Sequence, residues 1–338
     1  MNLRFAFAGF RHPHILALLE AVKNHPACQL VAACEEDATT RLQLAATGKV
    51  DVTHHSLQAM LAEARPDVVA VGDVYGNRGK IAIAALEAGC HVLSDKPLCT
   101  SLQELEQIEK SSRSQGLCVG CQLDLRDSGA IRLLREVALS GEIGEPCTIT
   151  IFGQHPLRLG KRAEWYFEPG RHGGTVNDIG IHALDLVEWL TNRKWTSTIS
   201  AREWNRKAKA FPHFGDCSQF HGILDGGIVV FADVSYLAPD ESAYSLPQYW
   251  RISLHGTKGM VETHYGATTA MVVADGDAEP RYVASLPDNS HQYLDDFIDE
   301  IAGRSALPGL TSSHILRISR LALEIQQSAA HPRREKTC

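Results

Sequence analysis

Leu3-Arg4-Phe5-Ala6-Phe7-Ala8-Gly9, followed by Phe10-Arg11-His12-Pro13-His14, is the stretch from which the fold is read. Residues 3–9 form a short apolar run that stops at a glycine, the pattern of a buried strand. A helical pattern follows from about Pro13 to Lys23. The same alternation continues downstream. A second strand over 29–34 stops at Glu35-Glu36-Asp37, and further strands are expected over 67–72, 91–94 and 117–121. Helical patterns separate them at 38–46, 56–64, 79–89 and 101–115. Short continuous apolar strands alternating with helices predict an α/β fold with a doubly wound parallel sheet covered on both faces. Ligands of such sheets sit at the carboxyl ends of the strands.

The pattern changes after about residue 122. A helix over 128–139 ends at Ser140-Gly141, and strand patterns then dominate at 146–154, 196–204, 217–224, 227–236, 249–256, 259–264 and 268–274. Gly226-Gly227 and Gly256-Thr257-Lys258-Gly259 read as hairpin turns. Helices are expected over 290–303 and 312–328, and the polar tail His331 to Cys338 is expected to fray. A chain of 338 residues suits two domains, here 1–121 and 122–338. A net charge of -7 argues against a nucleic-acid or anionic-membrane surface, because both need a basic patch. No apolar run approaches the roughly 20 residues of a membrane span, and the first residues lack a signal peptide's apolar core and cleavage site. Nine cysteines, an odd number without repeated spacing, read as reduced thiols of a cytoplasmic protein. Cys118 and Cys121 lie in a strand-like run that points them to opposite faces, and no second ligand pair follows. His54-His55 and His12/His14 show no metal-ligand pattern on a helix, so no metal site is expected.

Three stretches carry chemistry. The first is Gly173-Gly174-Thr175-Val176-Asn177-Asp178-Ile179-Gly180-Ile181-His182-Ala183-Leu184-Asp185. From Asn177 on its pattern is helical, which would put Asp178, His182 and Asp185 on one face at i, i+4 and i+7. Ile181, Leu184, Val187 and Leu190 form an apolar stripe beside them. A histidine beside carboxylates suits acid-base work near neutral pH; a solvated helix face is the plainer reading. Gly173, Gly174 and Gly180 favour close approach of the backbone to something.

The second stretch is Gly9 to His14, where a dinucleotide pyrophosphate would meet a helix N-terminus. Its Gly-x-Gly-x-x-Gly positions read Gly9, Arg11 and His14, with Phe10 and His12 between them. Arg11 either sets a cation against phosphate or is a solvated loop arginine. Glu35, at the end of the second strand, can bond a ribose 2′-OH and repel a 2′-phosphate, which favours NAD over NADP; otherwise it is a loop carboxylate. The third stretch is Asp95-Lys96-Pro97, after the fourth strand. A lysine there can bond a substrate oxygen and stabilise developing charge, or be a surface lysine in a tight turn. Pro97 could rigidify it through a cis bond.

Gly9 after the first strand, Asp95-Lys96-Pro97 after Ala84-Ala85-Leu86-Glu87-Ala88-Gly89, and Gly174 through Asp185 together resemble the Gfo/Idh/MocA family of glucose-fructose oxidoreductase and inositol dehydrogenase relatives. Ser140-Gly141-Glu142-Ile143-Gly144 and the Gly256–Gly259 turn extend the resemblance over nearly the whole chain. It implies an N-terminal Rossmann domain and a C-terminal α/β domain with a large open, mostly antiparallel sheet for substrate binding and oligomerisation. It implies hydride transfer between NAD(P) and a secondary alcohol of a sugar or cyclitol, with Lys96, Asp178 and His182 as catalytic residues. The loop after the third strand, usually a Pro-Asn pair and a His, reads Gly72-Asp73-Val74-Tyr75-Gly76-Asn77-Arg78. Asp73, Tyr75 and Asn77 are therefore expected at the cofactor with Asp95 and Lys96. Gln122, His155 and Trp165 join Lys96, Asp178 and His182 as candidate substrate contacts.

The expected protein is an NAD-preferring dehydrogenase or reductase of a small sugar or polyol, a homodimer or homotetramer through its C-terminal sheet, with no nucleic-acid or membrane partner. Two alternatives stand beside it: an NAD-using lyase or glycosidase with transient oxidation and no net redox, and a non-catalytic nucleotide-binding sensor.

Overall fold

A computed structural model describes residues 2–304 and 308–330; the tail His331 to Cys338 lies outside the described residues. The chain packs as two compact units. One comprises the residues up to Gln122 with Gly170–Gly173 and Tyr293–Arg320; the other comprises Leu123–Pro169, Gly174–Gln292 and the residues from Leu321.

The first unit alternates strand and helix. It runs β1 Leu3–Ala8, α1 His14–Asn24, β2 Cys28–Cys34, α2 Ala38–Thr47, α3 Leu57–Ala64, β3 Val68–Val71, α4 Tyr75–Glu87, β4 His91–Ser94, α5 Leu102–Gln115 and β5 Val119–Cys121. Among the described residues its sheet has five strands in the order β2-β1-β3-β4-β5, all parallel. Phe5, Phe7, Leu93 and the whole of β3 are buried, as a sheet covered on both faces requires. The helices are bounded by side-chain chemistry. Asp37 accepts the Thr40 N–H at the start of α2 and Ser101 accepts the Glu104 N–H at the start of α5, while Gly48 and Gly116 end those helices in the left-handed region.

One boundary differs from expectation. The α4 helix begins at Tyr75, not near residue 79, and contains both Gly76 and Gly79. Both glycines sit where a side chain would collide with the packing. A Cβ at Gly76 would lie 2.4 Å from the Gly170 carbonyl oxygen, and one at Gly79 would lie 2.5 Å from Glu104 Cδ. Tertiary contact here overrides low helix propensity.

The second unit carries α6 Gly129–Ser140, β6 Pro146–Pro156, α7 Ile181–Thr191, β7 Trp195–Trp204, β8 Cys217–Leu224, β9 Val229–Ala238, β10 Tyr249–Gly256, β11 Gly259–His264, β12 Thr269–Ala274 and β13 Arg281–Ala284. Its sheet has eight strands among the described residues, in the order β13-β12-β11-β10-β6-β9-β8-β7. Only the β6–β9 pairing is parallel. Both expected hairpin turns are present, between β8 and β9 and between β10 and β11. The edge strand β13 was not expected; it is four residues long and largely exposed, so it has no apolar alternation to read. The α6 helix packs on β11 and β12, and α7 packs on β6. The closing helices are α8 Gln292–Ile301 and α9 Ser312–Ala330. No helix among the described residues is long and apolar enough to cross a membrane.

Candidate active site

In the first unit, β1 ends at Gly9 with φ of 80°, and a Cβ there would lie 2.5 Å from Asp73 Cβ. Only glycine fits that turn. Beside it, at the carboxyl ends of the strands, lies a cavity of about 320 Å³ lined by Gly9, Glu36, Gln58, Asp73, Asn77 and Lys80 among others. Its position at strand ends and its partly charged lining fit the nucleoside part of a dinucleotide. Phe10 is buried, and its N–H donates to Glu35 Oε2 at 2.7 Å. Arg11, partly exposed, lies 3.6 Å from Asp37. Asp73 accepts from the Val74 N–H and from the Asn77 amide, and burial pushes its carboxyl up. Arg171 donates to the Asn77 side chain, and the Gly76 N–H donates to the Arg171 carbonyl, so the 170–173 segment fixes the first turn of α4.

Asp95, at the end of β4, is wholly buried and is the centre of a polar network. The Arg78 guanidinium, itself 0% exposed, donates to Asp95 Oδ2 at 2.8 Å and stacks 4.5 Å from the Tyr75 ring centroid. Arg78 also donates to the main-chain oxygens of Asp73, Lys96 and Pro97. Lys96, 5% exposed, precedes a cis peptide bond to Pro97. Arg78 thus clamps the backbone that presents Lys96. His12 Nδ1 lies 2.6 Å from Asp95 Oδ2, and the Tyr75 hydroxyl lies 3.2 Å from His12 Nε2. The consistent assignment is an Nδ1–H donor to Asp95 and a Tyr75 O–H donor to Nε2. His14 Nδ1 lies 3.6 Å from Asp95 Oδ1. Burial pushes the Asp95 carboxyl up, but Arg78 and His12 outweigh it and hold it well below the usual carboxylate range. Burial lowers His12 to about 4 against the pull of Asp95.

His12, His14 and Asp95 bring three potential ligand atoms within 4.8 Å of one another, the grouping of metal-ligand type found among the described residues. A dication there would share the Asp95 carboxylate with the Arg78 guanidinium, and like-charge repulsion argues against it. The network has a pH consequence. The folded pKa of His12 lies below its ordinary 6.5, so the unfolded chain takes up the proton first as pH falls. The contribution is intact above about 6.5 and is lost as pH falls towards 4, at about 1.4 kcal/mol per unit. Asp95 stays ionised through that window, with Arg78 and His14 facing it. Urea unfolding should show about 2 kcal/mol less stability near pH 5 than near neutrality. A His12→Gln variant should lose most of that difference; equal pH dependence in both proteins would contradict the network as described.

The second unit holds the other candidate residues. Gly174, with φ of 94°, starts the motif, and a Cβ there would overlap the Gln326 side chain. Gln326 Oε1 accepts the Val176 N–H, and Glu203 accepts the Thr175 N–H and the Gln326 amide, so the free donors at the helix start are satisfied. Residues Val176–Gly180 form a π-helical turn before α7. This corrects the expected regular helix from Asn177: a wide turn breaks the i, i+4 spacing between Asp178 and His182. His182 and Asp185 keep their i, i+3 spacing within α7, and Asp185 pairs with Arg126 at 2.9 and 2.5 Å. Asp178 instead accepts a short hydrogen bond from the buried Tyr236 hydroxyl. Burial and the Asp178 charge push that phenol well above its usual range, so it stays protonated and remains a donor. His182 is 5% exposed, with its ring 5.4 Å from Trp250. Trp250 has φ of 57° at a bulge in β10, and its ring closes over Gly153, where a Cβ would be 2.9 Å away. His155 sits among the rings of Tyr236, Tyr244, Tyr249 and Trp250. Trp165 packs 4.4 Å from Tyr166, and Arg162 stacks on both Tyr166 and Tyr236.

Residues 3–123 match the oxidoreductase family with an NAD-binding Rossmann fold, and residues 131–262 match the GFO/IDH/MocA C-terminal domain. The chain belongs to the Gfo/Idh/MocA family. A 1,5-anhydro-D-fructose reductase of Ensifer adhaerens is 29% identical over 40% of this chain and 41% of its own length. A D-glucoside 3-dehydrogenase of Escherichia coli is 26% identical over 56% and 54%. The chain thus spans about half or less of these curated relatives. A dehydrogenase of Bordetella pertussis, solved with NADH and UDP-GlcNAcA, superposes with a TM-score of 0.76 at 20% identity over 98% of this chain and 97% of its own, and shares the fold.

In this Gfo/Idh/MocA chain the predicted cofactor residues divide by environment. Gly9, Asp73 and Asn77 line the first unit's cavity, whereas Phe10, His12, Glu35, Tyr75 and Asp95 are buried in the packing around it. Gln122, a candidate substrate contact, is 3% exposed in the first unit, and its Oε1 makes no hydrogen bond among the described residues. Sequence reasoning missed Arg78, Tyr236 and Trp250. Arg78 had a signal, because it stands in the third-strand loop that departs from the family pattern. Tyr236 lies 58 residues from Asp178, and nothing local links them.

Proposed function

We propose that the chain is an NAD(P)-dependent oxidoreductase moving hydride between nicotinamide and a secondary alcohol of a sugar, cyclitol or related polyol. The carrying observation is Lys96, almost buried on a turn at the carboxyl end of β4 with its backbone clamped by Arg78. Such a lysine is preorganised to donate to a substrate oxygen. In the oxidative direction His182 takes the hydroxyl proton. Lys96 donates a hydrogen bond to a substrate oxygen and steadies its developing charge. Asp178, held by Tyr236, orients the substrate or tunes the histidine. Nicotinamide, when bound, supplies the hydride acceptor or donor. Gln122, His155 and Trp165 are assigned to substrate binding. The carboxylates ending β2 favour NAD over NADP.

The names of the relatives, a sugar reductase and a glucoside dehydrogenase, support the substrate class. Cysteines without disulfide bonds, among the described residues, support a cytoplasmic setting. Exposed Phe231 in β9 and Tyr282 in β13 support self-association as a homodimer or homotetramer through the eight-stranded sheet.

The test is a panel of sugars and inositols with NAD⁺, following product and nicotinamide absorbance together. An oxidoreductase forms one NADH for each oxidised product. Product without net NADH would instead identify a lyase or glycosidase that oxidises transiently. Dinucleotide binding with no turnover on any panel member would favour the sensor, towards which the replaced loop glycines at Arg11 and His14 point.

A further inference from the structure

Two adjacent carboxylates, Glu35 and Glu36, follow β2, and their surroundings differ sharply. Glu35 is 1% exposed. Its Oε2 accepts the Phe10 N–H at 2.7 Å and its Oε1 accepts the Asp37 N–H at 2.9 Å. It therefore ties the loop after β1 to the turn after β2. Burial pushes its carboxyl up, opposed by those two N–H bonds. Arg41 donates to the carbonyl oxygens of both Glu35 and Glu36, which fixes the backbone between them.

Glu36 is exposed and lines the cavity of about 320 Å³, from whose lining Glu35 is absent. Its Oε1 accepts the Leu57 N–H at 2.9 Å, at the first residue of α3. Its Oε2 makes no hydrogen bond among the described residues. Lys80 and Asp73 line the same cavity.

We propose that Glu36, not Glu35, is the carboxylate that reads the ribose hydroxyls of the dinucleotide and rejects a 2′-phosphate. The assignment rests on the dinucleotide reading given above and names the residue that sets its selectivity. A carboxylate oxygen open to the cavity can accept from a 2′-OH and repels a phosphate at that position. Glu35 cannot turn into the cavity without releasing two main-chain donors in a buried place, which is costly. Its role is to hold the loop of Gly9 and Phe10. Glu36→Gln removes the charge but keeps an amide oxygen for the Leu57 N–H, so the start of α3 survives the substitution.

The experiment is titration of the purified full chain with NADH and with NADPH by tryptophan fluorescence quenching, for wild type, Glu36→Gln and Glu35→Gln. Wild type should bind NADH more tightly. In Glu36→Gln the ratio of NADH to NADPH affinity should fall roughly tenfold or more, since one like-charge contact removed is worth about that factor. Glu35→Gln should weaken both dinucleotides by a similar factor and leave the ratio in place. An unchanged ratio in Glu36→Gln, a ratio altered by Glu35→Gln alone, or a wild type that prefers NADPH overturns the assignment while leaving the dinucleotide reading intact. No saturable binding of either dinucleotide to wild type overturns both.

Discussion

Replacing Lys96 by alanine is expected to lower kcat by about 10²-fold or more on a validated substrate, with dinucleotide affinity changed only a few-fold. The lysine is 5% exposed, so its ammonium acts where water competes poorly. A donor aimed at an oxygen gains most when that oxygen carries developing charge, which places the loss in kcat rather than KM. His182→Ala should fall by a comparable factor, about 10²- to 10⁴-fold, because it removes the assigned base. Unchanged turnover in either single variant would sink the corresponding assignment.

Arg78→Met should destabilise the first unit by about 3–5 kcal/mol, the usual result of leaving one partner of a buried ion pair alone. Asp95 would be left in a dry site with neutral His12 as its nearest remaining donor. The clamp on the carbonyl oxygens of Asp73, Lys96 and Pro97 would go too, so turnover should fall together with stability. Arg78→Lys cannot fork to several acceptors at once and should recover only part of either quantity. The double variant Arg78→Met, Asp95→Asn should regain stability relative to Arg78→Met alone, because the uncompensated charge is gone, yet stay slow because the turn that carries Lys96 is still unclamped. Urea unfolding and steady-state rates on the same preparations check this. A loss below about 1 kcal/mol in Arg78→Met would mean that the network does not hold the turn.

The parallel sheet was legible because its strands are short continuous apolar runs that need no long-range information; β1 and β3 illustrate it. Lys96 was legible for a similar reason, since Asp95-Lys96-Pro97 directly follows β4. The start of α4 was hidden because glycines read as breakers until the Gly170 and Glu104 contacts are known. The π-helical turn at Val176–Gly180 was hidden because a local i, i+3, i+4 pattern assumes the regular helix in advance. The partner of Asp185 was hidden as well, because Arg126 lies 59 residues upstream. Glu35 and Glu36 are adjacent and chemically alike, so their difference lies wholly in which way the folded chain turns each one. Local chemistry thus marked the residues assigned to a ligand, while the partners that tune each group come from distant strands.

Titration of the purified chain with NADH, read by quenching of tryptophan fluorescence, tests the central claim most directly, because every assigned role depends on a nicotinamide dinucleotide bound at the strand ends of the first unit. The account predicts saturable binding that is lost when Gly9→Trp fills the turn beside Asp73 in a chain that stays folded by circular dichroism. Absence of saturable binding of both NADH and NADPH to the wild-type chain would contradict it.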